Sequence, residues 1–353
     1  MVKGLMVDMN TQKPLVSVVM CNYNTKEEYL RSAIESILRQ TYEHFEFIII
    51  DDASTGNDVE VIRSYRDPRI ILLQNERNRR TPYSANRGMV LAKGEYIARM
   101  DADDIALPYR LEKQVAYMEK HRDIDILCAQ ARFFGDRKGV FAPKLTQPDR
   151  MKTALFFACP IVNPTVMFRA SFIRKHNIRY DESAMAEDYE LWSRCIPIAK
   201  ICEYPHVLLN YRVHPSQIST ASHSLQAESA NRVREKMLSW LGIAPSQREI
   251  LIHYHFCTDS TSPDISLQET EAWARRLLQA NDEQNVFPRR LFTHEVVQNF
   301  FVAAVKHLLQ KRITLNKVLR MDLTRKALSP RHYSGYMQRF LFSRRLNGLF
   351  NNR

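Results

Sequence analysis

Three carboxylates fall within four positions of this 353-residue chain, in the stretch RMDADDIALP. They are Asp101, Asp103 and Asp104, and they follow the apolar run GEYIAR. Like charges held close together cost free energy unless a cation or hydrogen-bond donors compensate them. The cluster therefore predicts a positively charged partner. A hard divalent cation that is shared between one or two carboxylates and phosphate oxygens is the common solution.

Strands that alternate with helices must position this cluster. The segments LVSVVMCNYN, FEFIIIDD, RIILLQN and GEYIARMD read as buried strands, and helical patterns lie between them. In the first of these helices, Thr25 and Glu28 have the spacing of a capping box. This βαβ rhythm predicts an α/β fold, Rossmann-like, with a mostly parallel sheet and helices on both faces.

Polar side chains end three of the predicted strands. Asn22 and Asn24 end the first, Asp51 and Asp52 end the second, and the acid cluster ends the fourth. Ligands of such sheets bind beyond the carboxyl ends of the strands, so we expect these groups to line one crevice. Asp51 and Asp52 could accept hydrogen bonds from a base or a ribose. A solvated turn explains that pair equally well.

Several classes of protein are disfavoured by what the sequence lacks. The dinucleotide fingerprint GxGxxG and the phosphate loop GxxxxGK[ST] are both missing after the first strand. Six cysteines without a CxxC pair argue against a zinc site or a disulfide framework and fit a reducing cytoplasm. The N-terminal stretch has no apolar signal core, and no run of about 18 apolar residues occurs. We therefore expect neither secretion nor a membrane span.

Four segments together resemble a known family. In order, PLVSVVMCNYN, RQTYEHFEFIIIDDAS, GEYIARMDADDIALPYRLEKQV and AEDYELWSR resemble the nucleotide-sugar-dependent glycosyltransferases of family 2. The resemblance covers roughly residues 14–220. It implies the GT-A fold, a UDP-sugar donor, inversion at the anomeric carbon, and Mn²⁺ or Mg²⁺ as cofactor.

The resemblance also implies roles for particular residues. Tyr23 and Asn24 would lie beside the base, and Asp52 would bind the uracil. The DxD motif, Asp101 and Asp103, would contact the ribose and hold the metal on the diphosphate. The chain departs from the family pattern near the donor, where relatives often carry glycine: here the residues are Ala53, Arg79 and Arg80, and Arg80 is a candidate donor contact.

The later segments supply candidates for the base and for a further ligand. Asp188 would be the general base and Glu187 an acceptor contact, although acids in the first turn of a helix are also favoured by the helix dipole alone. YRVHPSQIS resembles the family element that closes over the diphosphate, so Arg212 lies there and His214 could bind a phosphate or the metal. A hydrogen-bonded surface histidine is an equal alternative. Asn163 is a weaker candidate on the acceptor side.

Charge and periodicity suggest three parts: an extension over residues 1–13, a catalytic domain over 14–222 and a helical region over 223–353. The last part ends in a basic amphipathic tail from about Lys311, with eleven Lys and Arg against one acid, a net +10 of the chain's +12. Such a tail suits an anionic membrane surface. A solvated helical cap and a nucleic-acid-binding tail are the alternatives.

The sequence thus predicts a metal-dependent, inverting glycosyltransferase. It resembles bacterial lipooligosaccharide and capsule enzymes that add β-1,3-linked N-acetylglucosamine or galactose, and we place UDP-GlcNAc ahead of UDP-Gal. We expect a lipid-linked glycan acceptor, a peripheral location on the cytoplasmic face of the membrane, and no nucleic-acid partner. A sugar nucleotidyltransferase would carry a glycine-rich loop after the first strand, but CNYNTKEEYL has no glycine. A non-catalytic RNA-binding protein would leave the acid clusters without a purpose.

Overall fold

The structure is a computed structural model that describes residues 13–215, 223–258 and 262–327. The described chain forms two compact units, which interleave along the sequence. Residues 13–146, 161–183 and 198–215 belong to the first unit, and the remaining described residues belong to the second. The expected boundary near residue 222 stays a prediction. Most of the expected N-terminal extension, residues 1–12, lies outside the described residues.

The first unit begins with four parallel strands in the order β3-β2-β1-β4. Asn22 pairs with Asp51 and Cys21 pairs with Asp101, so the acidic strand ends meet at one edge of the sheet. The elements are β1 (Val16–Asn22), α1 (Glu27–Leu38), β2 (Phe45–Asp51), α2 (Asp58–Arg63), β3 (Ile70–Gln74), α3 (Arg80–Leu91) and β4 (Tyr96–Asp101).

The sheet continues beyond β4 with strands of both directions. Its order is β8-β6-β9-β5, and β7 pairs with β6. β8 is antiparallel to both β4 and β6, whereas β6 and β9 are parallel. The elements are β5 (Ile105–Ala106), α4 (Arg110–Lys120), β6 (Ile126–Gly135), β7 (Gly139–Phe141), β8 (Met167–Arg169), α6 (Ala170–His176) and β9 (Ile201–Val213). The α/β prediction holds, and the sheet as a whole is mixed because β8 reverses direction.

Burial explains why the central strands form where they do. Nearly every residue of β1 and β2 is buried, as is usual for parallel strands covered by helices on both faces. Helix α1 packs one apolar stripe of Leu30, Ala33, Ile34 and Ile37 into this core. Its predicted capping box is wrong. The helix begins at Glu27, and the Thr25 amide donates to the Asp58 carboxylate instead.

The second unit is helical. Phe156, Phe157, Phe287 and Phe292 form its aromatic centre, with ring centroids 5.0–5.6 Å apart. Within the described ranges, no helix has the length and apolar character needed to cross a membrane. The helices are α5 (Pro148–Phe157), α7 (Glu187–Cys195), α8 (His223–Leu238), α9 (Gln247–Cys257), α10 (Leu267–Gln284), α11 (Arg289–Leu309), α12 (Leu315–Arg320) and α13 (Asp322–Ala327).

Helix α3 packs closely on the parallel strands at Gly88. A Cβ atom there would lie 2.5 Å from Val19 Cγ1 and 2.7 Å from Ile50 Cδ1. Valine is stiff at χ1, so the clash has no easy relief. We expect Gly88→Ala to lower the free energy of unfolding by about 1–3 kcal/mol, although alanine favours helix more than glycine does.

Urea unfolding of Gly88→Ala measures this loss. Val90→Ala is the matched control, because Val90 lies on the same helix and is 66% exposed. It should change the unfolding free energy by less than about 0.5 kcal/mol. An unchanged or increased stability of Gly88→Ala would mean that the helix shifts freely on the sheet.

Candidate active site

A buried polar network joins the carboxyl ends of β1 and β2. The Asn22 side chain donates to Asp51 Oδ1 at 2.8 Å and to Asp58 Oδ1 at 3.0 Å. The Ser54 amide donates to the second Asp51 oxygen at 3.1 Å. These side chains therefore hold the loop after β1, which presents Tyr23 with 47% of its surface exposed. Asp51 and Asp58 serve the scaffold, which sequence spacing alone did not reveal.

The neighbouring carboxylate, Asp52, is almost fully buried. It accepts hydrogen bonds from the backbone amides of Arg79 at 2.9 Å and Arg80 at 2.7 Å, and from the Asn75 side chain at 2.6 Å. Asp52 thus fixes the start of α3 beside the end of β2. A base contact from the same carboxylate stays a prediction.

Two residues beside Asp52 have left-handed backbones. Ala53 has φ 62° and Arg80 has φ 70°. The left-handed region is costly for residues with a Cβ and open to glycine. The backbone geometry at these two positions therefore favours glycine, and it places the Arg80 amide against Asp52. Asn24 is left-handed as well, and its side-chain oxygen accepts the Thr55 amide at 2.8 Å.

The acid cluster after β4 finds its compensating charge within the protein. The Arg99 guanidinium lies 3.8 Å from Asp101 Oδ1. The Arg212 amide donates to Asp104 Oδ1 at 2.8 Å, and Arg212 Nε donates to the Asp103 carbonyl at 2.7 Å. The positively charged partner predicted from the sequence is therefore supplied at least in part by arginines.

Arg99 and Arg110 are fully buried beneath the cluster. Arg110 donates to the Arg99 carbonyl at 2.7 Å and to Gln114 Oε1 at 3.1 Å. Burial lowers the pKa of Arg110 to about 10, and the charges of Asp104 and Asp101 oppose that shift. Sequence analysis missed both arginines. The available signal was an arginine inside an apolar strand, two positions before the first aspartate.

Asp104 is the buried member of the cluster. Burial raises its pKa well above the ordinary value, and the charges of Asp103 and Asp101 raise it further. Asp103, by contrast, keeps a quarter of its side-chain surface exposed. The three acids are therefore not equivalent: Asp104 belongs to the interior and Asp103 faces outward.

Asp103 meets His214, which follows β9. The atoms His214 Nε2 and Asp103 Oδ2 are 2.9 Å apart, and both side chains are partly exposed. The Tyr29 ring contacts the end of β9: its centroid lies 3.9 Å from the Arg212 guanidinium and 5.5 Å from the His214 ring. Strand β9 and the DxD loop are thus held together at the site.

The donor set decides which kind of metal site fits. Among the residues that the structure describes, no group of three His, Cys, Asp or Glu side chains is arranged to hold a metal ion. Asp103 and His214 converge, while Asp101 is turned toward Arg99. A cation that takes one or two protein ligands and completes its shell with diphosphate and water fits this pair. The assignment of Asp101, Asp103 and His214 as metal ligands stays a prediction.

Glu187 and Asp188 open helix α7 in the second unit. The Tyr189 amide donates to Asp188 Oδ1 at 2.6 Å. Burial nevertheless raises the pKa of the Asp188 carboxyl. A raised pKa suits a carboxylate that must take up a proton.

The acceptor-side candidate Asn163 lies in the first unit, where it accepts a hydrogen bond from the Tyr180 hydroxyl at 3.1 Å.

Comparison with known proteins identifies the family. The family model described as glycosyl transferase family 2 matches residues 17–180. A Methanocaldococcus jannaschii protein described as uncharacterized glycosyltransferase MJ1057 is 41% identical over 209 residues, which are 57% of this chain and 71% of that protein. The chain belongs to glycosyl transferase family 2. The family match includes Asp52, Asp101 and Asp103, and it ends before Asp188 and His214.

Two further comparisons extend this result. The Escherichia coli UDP-Glc:alpha-D-GlcNAc-diphosphoundecaprenol beta-1,3-glucosyltransferase WfaP is 26% identical, over 68% of this glycosyltransferase and 92% of WfaP. A crystal structure of S. aureus TarS 1-349 in complex with UDP-GlcNAc superposes with a TM-score of 0.59 at 17% identity, and the match covers 85% of this chain and 93% of that one. The predicted GT-A fold with a helical C-terminal region is confirmed.

The left-handed backbone at Ala53 yields a test of the site's geometry. We expect Ala53→Gly to raise the free energy of unfolding by about 0.5 kcal/mol, because relief of the left-handed penalty exceeds the entropy cost of glycine. Ala227→Gly, in the interior of α8, is the control and should lower stability by about 1 kcal/mol. Equal losses in the two variants, measured by urea unfolding, would contradict the strained backbone.

Proposed function

We propose that this glycosyltransferase moves a sugar from a UDP-sugar to a glycan acceptor with inversion at the anomeric carbon, and that N-acetylglucosamine is favoured over galactose as the sugar. The observation that carries the proposal is the meeting of the strand ends. Asp52 after β2, the DxD loop after β4 and His214 after β9 all belong to the first unit, and β1, β2 and β4 are in register at their acidic ends. Tyr23, Asn24, Asp52 and Arg80 would receive the nucleotide.

Asp103 and His214 would hold Mn²⁺ or Mg²⁺ on the diphosphate, and Asp101 would contact the ribose. The cation, when bound, stabilises the negative charge that develops on the leaving UDP. Asp103 suits this role because its carboxylate is partly exposed, while Arg99 and Arg110 hold the loop from below. His214 and Arg212 fix the DxD loop against β9, so the ligating atoms need little rearrangement.

Asp188 is the proposed general base. The acceptor hydroxyl oxygen forms a bond to the anomeric carbon while the bond from that carbon to the UDP oxygen breaks. The hydroxyl proton passes to the Asp188 carboxylate, and Glu187 binds an acceptor hydroxyl. Burial raises the pKa of Asp188, which makes its carboxylate a stronger base than an ordinary aspartate.

The proposed acceptor is a lipid-linked glycan in the synthesis of a cell-surface polysaccharide or lipooligosaccharide. WfaP, by its name, acts on a diphosphoundecaprenol-linked sugar and uses UDP-Glc. A lipid-linked acceptor agrees with the basic tail, whose residues 328–353 lie outside the described chain. It also implies a peripheral location on the cytoplasmic face of the membrane.

A donor screen tests the proposal directly. UDP-GlcNAc, UDP-Gal, UDP-Glc and GDP-Man are each incubated with Mn²⁺ and with lactose-type or GlcNAc-terminated acceptors, and nucleotide release and product are measured. Transfer from a UDP-sugar supports the proposal, and a β-linked product from an α-linked donor supports inversion. Transfer from GDP-Man alone would overturn the donor assignment. Failure to release UDP from any donor would overturn the catalytic assignment.

The proposed metal-binding role of Asp103 predicts the effect of a substitution. Asp103→Ala should abolish transfer and the Mn²⁺-dependent part of UDP binding, because His214 alone would hold the cation too weakly. Isothermal titration with UDP, with and without Mn²⁺, measures this. Asp136→Ala, an exposed aspartate of the same unit, should behave as wild type. Unchanged metal-dependent UDP affinity in folded Asp103→Ala would remove Asp103 from the metal site.

The proposed base role of Asp188 predicts the effect of a second substitution. Asp188→Asn should lower kcat by about 10²-fold or more while UDP binding persists. In the wild-type enzyme, kcat should fall as the pH decreases through the raised pKa of Asp188, and therefore above the ordinary aspartate value of about 3.9.

Asp149→Asn is the control, because Asp149 is an exposed acid in the first turn of α5. Its kcat should be unchanged. Since burial disfavours the Asp188 carboxylate at neutral pH, Asp188→Asn should unfold at the same temperature as wild type or higher. Near-normal kcat in Asp188→Asn would transfer the role to another residue, and Glu187 is the first to examine.

A further inference from the structure

Three large apolar side chains remain exposed within eleven consecutive residues of the second unit. Leu309, which ends α11, is 63% exposed, and Leu315 and Leu319 on α12 are 54% and 43% exposed. Twelve large apolar side chains are exposed in the described part of the chain, so a quarter of them fall in this short stretch. Single exposed leucines need no explanation, but a local group of them indicates an interaction site.

Most of the apolar surface of helix α12 is left uncovered. Val318 is the one residue of α12 that is buried. Leu315 and Leu319 are four residues apart and therefore lie on the same side of the helix. The apolar side chains of α12 thus outnumber those that the helical unit covers.

The charged residues of the segment that carries the leucines all have the same sign. Residues 309–321 contain four basic residues and no acid: Lys311, Arg312, Lys317 and Arg320. Lys317 and Arg320 are exposed. The next acid along the chain, Asp322, lies 3.5 Å from the Arg275 guanidinium on α10, so another helix already engages its charge.

We propose that the leucine–basic segment, residues 309–320 with the exposed side chains of Leu309, Leu315, Leu319, Lys317 and Arg320, docks on an anionic lipid bilayer. The leucines enter the boundary between headgroups and acyl chains, and the cations remain among the anionic headgroups. The inference rests on the proposed function and deepens it, since it names the surface that brings the enzyme to a lipid-linked acceptor.

Charge complementarity selects a bilayer over other occupants. The segment 328–353 of this chain carries five arginines and no acid, so it offers no opposite charge to Lys317 and Arg320. A nucleic acid would match the charge but would leave the leucines exposed to water. An anionic bilayer supplies both an apolar layer and negative charge at its surface.

The experiment measures co-sedimentation of the full-length chain with vesicles. Phosphatidylcholine vesicles with and without 30% phosphatidylglycerol are compared at low and high salt. Wild type should bind only the anionic vesicles, and binding should weaken as salt rises. Lys317→Gln/Arg320→Gln should lower the partition coefficient by about thirtyfold, which corresponds to about 1 kcal/mol for each charge. Leu315→Ser/Leu319→Ser should lower it by at least about tenfold.

Matched variants control for charge and apolar surface in general. Lys236→Gln/Arg290→Gln removes two exposed cations, and Leu225→Ser/Leu251→Ser removes two exposed leucines elsewhere in the same unit. Both controls should bind as wild type does. Thermal unfolding of each variant verifies that it is folded.

Three results would overturn the proposal: no binding of wild type to anionic vesicles at low salt, undiminished binding of Leu315→Ser/Leu319→Ser, or equal losses in the matched controls. A chain that ends at Ala327 provides a further arm. Retained binding supports the leucine–basic segment, and abolished binding would also overturn the proposal, because it would assign the interaction to residues 328–353. Transfer from a UDP-sugar to a soluble acceptor should be unchanged in the leucine variant. Vesicle binding without transfer in wild type would refute the proposed function and leave this inference standing.

Discussion

The compensation of Asp101 and Asp104 by two buried arginines is the constraint on which the site depends. Two guanidinium groups, Arg99 and Arg110, are removed from water beneath the DxD loop. A buried charge is costly unless opposite charges or hydrogen bonds repay it, and the acids above supply part of that repayment. In return the arginines make it possible for the acids to stand close together. Removal of either partner would leave the other uncompensated in the interior.

The three aspartates of the cluster have different surroundings and therefore different roles. Asp104 is buried and accepts the Arg212 amide, which ties the loop to the end of β9. Asp101 lies beside Arg99 and Asp103 lies beside His214, and both side chains remain partly exposed. A loop fixed in this way can present one carboxylate to a cation without a large rearrangement. Asp52 likewise fixes a loop, because its carboxylate accepts hydrogen bonds from the backbone amides of Arg79 and Arg80.

Several expectations from the sequence were limited by what local patterns can encode. The βαβ rhythm predicted the four parallel strands, because β1, β2 and β4 are almost entirely buried apolar runs. It did not predict the mixed sheet, because β5 and β8 contain only two and three residues and their direction depends on distant partners. The Thr25 capping box failed because Asp58, more than thirty positions away, takes the Thr25 amide. Long-range hydrogen bonds outweighed a local preference.

By itself, the sequence determined the family, the α/β architecture and the position of the acid clusters at strand ends, since these follow from periodicity and from motifs within short segments. Tertiary structure alone decided that Asp104 is interior while Asp103 faces outward, that Asp103 meets His214, and that Arg99 and Arg110 lie beneath them. It also decided that Leu315 and Leu319 stay exposed while Val318 is buried. Burial and pairing depend on which segments fold against each other, and residues distant in the chain set both.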